Sequence, residues 1–353
     1  MKSLFLLVLT FCVSLVSIYG ILRVSCRYGI YDKIDDRKIH TGNVPRLGGM
    51  GIFAGFFAGF LLFTLLGDEV LSFQSNFYSL IAASVVIFSM GFWDDLRPWS
   101  PKPKFCLQAL ASLLVLWGGF RFEVLPLGAL GTVNLGLWGY PLTCAWILGV
   151  INAVNLIDGM DGLASVITAS VAAVYALFFL SAGNPHAALL CGLLVAAVFA
   201  FMVFNLPFPK AKIFMGDGGS QFLGFMLAVL PLIRSRGSGA SVALPFAGAV
   251  LLIPLFDTVA AIWRRLRERR PIDSPDRFHI HHKLLLSGLS VKKSLLVVLL
   301  FQLSLGGAVA FASLGAGIAS DLALIGAYAA GIAFFTLMHY KKKAALLRSA
   351  RYG

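Results

Sequence analysis

Charged side chains are scarce in this chain. Only 13% of its 353 residues are charged, and Asp and Glu together number 16. A soluble globular domain is nearer one quarter charged, so that class is excluded. No polar segment is long enough for a separate soluble domain; the largest runs from 263 to 293. The five cysteines (Cys12, Cys26, Cys106, Cys144 and Cys191) are scattered, with no metal or disulfide spacing. They read as small apolar residues in helices. There is no basic domain, which removes nucleic acid as a partner, and no internal repeat.

What the chain has instead is apolar sequence. It is 59% hydrophobic, with a mean hydropathy of +0.86. The apolar runs are about 20 residues long, the length that spans a bilayer as a helix. They are continuous rather than alternating, which excludes barrel strands. The expected fold is therefore all-α: a polytopic membrane helix bundle with about eleven spans. These cover roughly 3–22, 48–66, 77–93, 105–117, 141–157, 162–182, 187–205, 219–233, 241–262, 294–315 and 320–339. The Gly-rich loop 118–140 suggests a small hairpin.

Positive charge sets the orientation. Loops 23–47, 94–104, 206–218 and 263–293 and the tail 340–353 hold 25 of the 29 Lys and Arg. The N-terminus is then outside and the C-terminus cytoplasmic. Lys2 followed by an apolar core also has the look of a signal peptide. Cleavage there would leave the cations of loop 23–47 outside, so a retained first span is expected. The net charge of +13 is a property of the cytoplasmic face and suits anionic lipids and substrates. The chain reads as one transmembrane catalytic domain, 1–353, whose working loops are 23–47, 94–104, 158–161, 206–218 and 263–293.

Five aspartates stand out against this background: Asp94, Asp95, Asp158, Asp161 and Asp217. Each lies where an apolar run meets the cytoplasmic side. Carboxylates crowded at a membrane face repel one another unless a cation sits between them. Gly91-Phe92-Trp93-Asp94-Asp95 ends span three. A solvated stop signal would explain the pair taken alone; a proton acceptor beside a metal or lysine contact is the functional reading. In Asn152 to Gly162, the residues Asn152, Asn155 and Asp158 recur every three positions along one helix stripe, and Asp158 and Asp161 lie at a helix C-terminus that disfavours them. A polar helix cap is the bland explanation; amide and carboxylate groups also suit a nucleobase edge or sugar hydroxyls.

Phe214-Met215-Gly216-Asp217-Gly218-Gly219 enters span eight. Its glycines would bare backbone N–H groups to a phosphate, and Asp217 would ligate a Mg²⁺ that bridges a pyrophosphate. His279-Ile280-His281-His282-Lys283 reads as an extended segment whose alternate histidines face one way, with Arg277 and Lys283 flanking. Donation to phosphate oxygens fits these better than zinc, which lacks a matching ligand pair. Lys38 and His40 lie in the first basic loop, suited to a lipid phosphate, although ordinary topology-setting charge would also place cations there. Asp257 sits within span nine as a cleft-lining candidate without a role.

These five blocks, in this order, resemble the polyprenyl-phosphate N-acetylhexosamine-1-phosphate transferases, over about residues 32–290. The resemblance implies transfer of a sugar 1-phosphate from a UDP-N-acetylhexosamine to undecaprenyl phosphate, with release of UMP. It implies Mg²⁺, with Mn²⁺ as an alternative, and a site on the cytoplasmic face of a bacterial inner membrane. By the same resemblance Asp217 is the metal ligand. Asp94, Asp95, Asp158, Asp161, His279, His281 and His282 are catalytic, with Asp94 a base, a nucleophile or a metal contact. Lys38, His40, Asn152, Asn155, Phe214, Gly216 and Arg277 are substrate-binding, with Phe214 near the uracil. Membrane lipid is a further partner, and a homodimer is one allowed assembly. The run Arg277 to Leu284 looks like the GlcNAc-1-phosphate branch, which initiates surface polysaccharides such as O-antigen. Lys283 stands where lipid I enzymes tend to carry an acidic residue, against a UDP-MurNAc-pentapeptide donor. A transporter of anionic lipid or nucleotide sugar is the rival of another class. It would place ionisable groups at mid-bilayer and show repeat symmetry, and this chain does neither.

Overall fold

A computed structural model describes residues 1–32, 43–66, 77–206, 208–234, 241–271, 274, 276, 278–315 and 317–352. Lys38, His40 and Arg277 lie outside the described residues. The fold is all-α. All eleven expected spans are helical: α1 (Lys2–Tyr28), α2 (Gly49–Leu66), α3 (Phe77–Leu96), α4 (Pro101–Trp117), α5 (Gly139–Ile157), α6 (Leu163–Ser181), α7 (Pro185–Asn205), α8 (Gly216–Val229), the pair α9 (Leu244–Val250) and α10 (Leu252–Arg267), then α12 (Val291–Leu314) and α13 (Ile318–Tyr352). A short helix, α11 (Ile280–Leu286), lies between α10 and α12. The loop before α5 holds the expected hairpin, β1 (Val124–Pro126) antiparallel to β2 (Thr132–Asn134).

Among the described residues, eight helices are long and apolar enough to cross a membrane, or nine if α9 and α10 form one span. The count of eleven is therefore high in terms of length. At 17 and 14 residues, α4 and α8 fall short. For α8 the reason is position. Every residue of α8 from Gly218 to Val229 is buried, so it spans protein rather than lipid. Around it pack α2, α3 and α5, while α1 and α7 close over α2, and α12 backs α6.

Expected span nine is broken, with α9 and α10 meeting at 83°. Pro254 accounts for the break. It has no N–H for the Val250 carbonyl four residues back, and its ring crowds that carbonyl. Gln302 Nε2 of α12 donates to Val250 O instead, at 2.7 Å. The freed carbonyl thus finds a donor within the bundle.

Candidate active site

Close approach of two backbones builds the site. A Cβ at Gly91 of α3 would lie 2.6 Å from the Asp217 carbonyl oxygen of α8. This contact brings the last turn of α3 over the first turn of α8. Successive residues on a helix point about 100° apart, so Asp94 and Asp95 face different partners.

Asp95 caps α8. Its Oδ1 accepts the Asp217 N–H at 2.8 Å and its Oδ2 the Gly218 N–H at 3.0 Å. Arg46, in the segment before α2, donates to the same Oδ1 through Nε at 3.0 Å and a terminal NH₂ at 2.7 Å. A carboxylate at a helix N-terminus also suits the macrodipole. The expected phosphate seat on these amides is therefore corrected: the N–H groups of Asp217 and Gly218 already serve Asp95. Gly216, which begins the helix, has φ +74°, and a Cβ there would lie 2.5 Å from Asp95 Oδ2. Glycine is required at that position.

Asp94 turns to Lys104, near the start of α4. Its Oδ2 accepts Lys104 Nζ at 2.5 Å and its Oδ1 the Trp99 N–H at 2.7 Å. The same ammonium lies 3.2 Å from Asp217 Oδ2. On the other side, Arg46 approaches Asp217 Oδ1 at 4.0 Å and Asp32 at 3.4 Å. Four carboxylates (Asp32, Asp94, Asp95 and Asp217) thus surround two cations, leaving a formal charge of minus two.

A cavity of about 730 Å³ opens beside this cluster. Asp217, Gly216, Phe214 and Arg46 form one wall; Asn155, Asp158 and Asp161 a second; His281, His282 and Lys292 a third. Asn155 Nδ2 donates to Ser220 Oγ at 2.8 Å, tying α5 to α8. Asp158 is the C-cap of α5. Burial, then repulsion from Asp217, Asp95 and Asp161, pushes its carboxyl well above the usual range. Asn152 does not line the cavity. It donates to Gln108 Oε1 at 2.8 Å, Gln108 donates to Gln221 Oε1 at 3.0 Å, and Gln221 Nε2 lies 3.5 Å from Asp217 Oδ2. This amide ladder joins α5, α4 and α8 behind the wall.

The histidine segment is not extended. From Ile280 onward it is helix α11, with His279 as the N-cap. His281 packs so closely on the loop after α5 that a Cβ at Gly159 would lie 2.4 Å from its Cε1. Burial, then the neighbouring His282 and His279, holds the His281 imidazole down to about 3. It is therefore neutral at physiological pH. His279 and Asp257 are buried away from the cavity, so Asp257 is not a cleft-lining group. Lys283 stacks over the Phe335 ring of α13 at 5.7 Å.

Sequence reasoning missed Lys104 and gave Arg46 no role. Lys104 stands ten residues after Asp94, across Pro98, Pro101 and Pro103. Prolines in so short a link mark a tight return of α4 onto α3, and that was the available signal.

The residues present fit a hard divalent cation. Asp217 and Asp94 already share one cation, and the cluster is short of two positive charges. Among the described residues no group of three or more His, Cys, Asp or Glu gathers as a ligand set. Mg²⁺ needs only one or two carboxylates when phosphates and water complete its shell.

Residues 77–235 match the profile described as glycosyl transferase family 4. The chain is 34% identical over 299 residues to a probable undecaprenyl-phosphate N-acetylglucosaminyl 1-phosphate transferase of Bacillus subtilis, covering 83% of this chain and 81% of that one. It is 31% identical over 311 residues to the undecaprenyl-phosphate alpha-N-acetylglucosaminyl 1-phosphate transferase of Salmonella typhi, covering 85% and 81%. The Escherichia coli K12 protein of the same name is 29% identical over 286 residues, covering 79% and 75%.

Proposed function

The chain belongs to glycosyl transferase family 4, the polyprenyl-phosphate N-acetylhexosamine-1-phosphate transferases, and from that premise we propose that it transfers GlcNAc 1-phosphate from UDP-GlcNAc to undecaprenyl phosphate. The observation that carries this reading is the cluster of Asp217, Asp94, Arg46 and Lys104 beside a cavity of about 730 Å³. Both substrates are anions, and a site for them must quench repulsion between two phosphates. An oxygen of the lipid phosphate bonds to the β-phosphorus of the donor. The bond from that phosphorus to the oxygen bridging to the α-phosphate breaks, and its electron pair leaves with UMP. The product is a polyprenyl-pyrophosphate sugar.

The residues divide this work. Asp217 would hold Mg²⁺, which supplies neutralisation of phosphate charge when bound. Lys104 meets the charge of the acceptor phosphate, and Arg46 that of the donor. Asp94 keeps Lys104 in place, since both of its oxygens are already engaged. Asp95 fixes the first turn of α8 and so the position of Asp217. Phe214 offers a ring face to the uracil, and Asn155 and Asp161 offer hydrogen-bonding groups to the nucleotide and sugar. His281 meets the donor as a neutral imidazole through the ring edge that lines the cavity. Positioning and electrostatics supply most of the acceleration, as in other phosphoryl transfers.

The end of the bundle bearing the site collects the basic loops, which supports a site on the cytoplasmic face of a bacterial inner membrane. The test is UMP release by purified protein supplied with MgCl₂, undecaprenyl phosphate and a panel of UDP-sugars that includes UDP-MurNAc-pentapeptide. Acceptor-dependent release with UDP-GlcNAc, abolished by Asp217→Asn, is expected. Faster use of the pentapeptide donor would overturn the assignment of the sugar.

A further inference from the structure

Asp257 takes no part in the chemistry above, yet it is among the most enclosed carboxylates in the chain, 1% exposed. It lies in α10, beyond the Pro254 break, and reaches across to the histidine segment. Its two oxygens have different partners. Oδ1 accepts the Ile280 N–H at 2.8 Å, and Oδ2 lies 2.7 Å from His279 Nδ1. His279 is the N-cap of α11 but makes no cap bond with its own side chain. Asp257 supplies that cap from another helix. The His279 ring stacks on His281, with centroids 5.9 Å apart and planes 10° from parallel. His281 in turn lines the cavity and abuts Gly159.

We propose that Asp257 is a positioning residue for the histidine segment: it fixes His279 as the Nδ1–H tautomer and, through Ile280, holds α11 so that His281 meets the cavity wall. The carboxylate oxygen 2.7 Å from Nδ1 accepts the ring N–H, which places that hydrogen on Nδ1. The bond made by one ring nitrogen decides the state of the other, and His279 Nε2 is left with its lone pair. Asp257 acts on the reaction only through these contacts, because it does not reach the cavity.

The inference rests on the proposed transferase activity for one of its readouts and is independent of it for the other. The independent readout is NMR of full-length protein carrying ¹³C,¹⁵N-labelled histidine in nanodiscs, with His279→Asn assigning the signal among the six histidines. His279 is expected as the Nδ1–H tautomer. In Asp257→Asn the amide oxygen still caps Ile280, while its NH₂ faces Nδ1, so His279 switches to Nε2–H. UMP release is expected to fall at least about tenfold in Asp257→Asn. In a His279→Asn background the same substitution is expected to change the rate less than about twofold, because the two residues act as one unit. An Nε2–H tautomer in the wild type, an unchanged tautomer in Asp257→Asn, or a loss that persists in full without His279 would each overturn the proposal. Should Asp257→Asn fail to fold, the wild-type tautomer decides alone. Should the wild type release no UMP, the transferase reading fails and the tautomer still decides the role of Asp257.

Discussion

Replacing Lys104 by Met tests the charge arrangement that underlies the site. The substitution keeps most of the side-chain volume and removes the ammonium shared by Asp94 and Asp217. A unit charge 3.2 Å from Asp217 corresponds to roughly 5 kcal/mol at an effective dielectric of about 20. The two side chains are 22% and 26% exposed, so solvent screens part of this. Relief of the desolvation of Lys104 offsets more of it. A net loss of about 2–4 kcal/mol remains, set by the buried Asp94 and the partly exposed Asp217 left facing each other. In a thermal melt without divalent metal, this is a fall in Tm of about 3–5 °C for a chain of 353 residues. Mg²⁺ should raise the Tm of the variant more than that of the wild type, because both carboxylates are then free for it. At a concentration 100-fold above Kd, binding returns about 2.7 kcal/mol. The rate of UMP release should remain at least about 10²-fold down even in saturating Mg²⁺, since one preorganised charge is missing from the reacting phosphates. An unchanged Tm, or equal stabilisation of both proteins by Mg²⁺, would refute the shared-carboxylate arrangement. A near-normal rate would refute the role given to Lys104.

Two further predictions follow from other parts of the site. Gly216→Ala places a Cβ against Asp95 at φ +74°; the strain of about 1–3 kcal/mol should lower the Tm and shift the first turn of α8, so that activity falls more than stability alone explains. Equal loss of activity and folded protein would count against that displacement. The neutral His281 makes stability depend on acidity: its folded value is about 3 against an ordinary 6.5, so the unfolded chain binds the proton first as pH drops. Stability is then complete above about 6.5 and declines as pH falls toward 3, by about 2 kcal/mol at pH 5. His281→Asn should flatten Tm against pH in that window, and an identical slope in both proteins would refute the buried neutral state.

The helices were legible because twenty-residue apolar runs leave the backbone little alternative in lipid. The break between α9 and α10 was not. Pro254 is visible in the sequence, but whether it bends or ends the span depends on Gln302, forty-eight residues later and on another helix. Among the site residues, the Asp94-Asp95 pair was visible as a pair, while its division of labour was not. Helical rotation sends Asp94 to Lys104 and Asp95 to Arg46 and α8; the prolines before Lys104 mark the return of α4 but not which carboxylate its lysine meets. The three-residue spacing of Asn152 and Asn155 suggested one shared face. In the fold, Asn155 reaches the cavity and Asn152 drifts round to Gln108, because a three-residue step falls short of the 3.6-residue turn. The glycines around Asp217 suggested open amides, and only the approach of α3 shows that Asp95 fills them. Asp257 was legible as an oddity, a carboxylate in an apolar run, but its partners lie more than twenty residues away.

In the proposed reaction a sugar moves together with its phosphate. UDP-GlcNAc labelled with ³²P at the β-phosphate tests it most directly, in the presence of MgCl₂ and undecaprenyl phosphate. Transfer of the label into the organic, lipid-bearing phase, with unlabelled UMP left in water, is the predicted result. Label retained in water as UDP, with sugar alone passing to the lipid, would contradict the account.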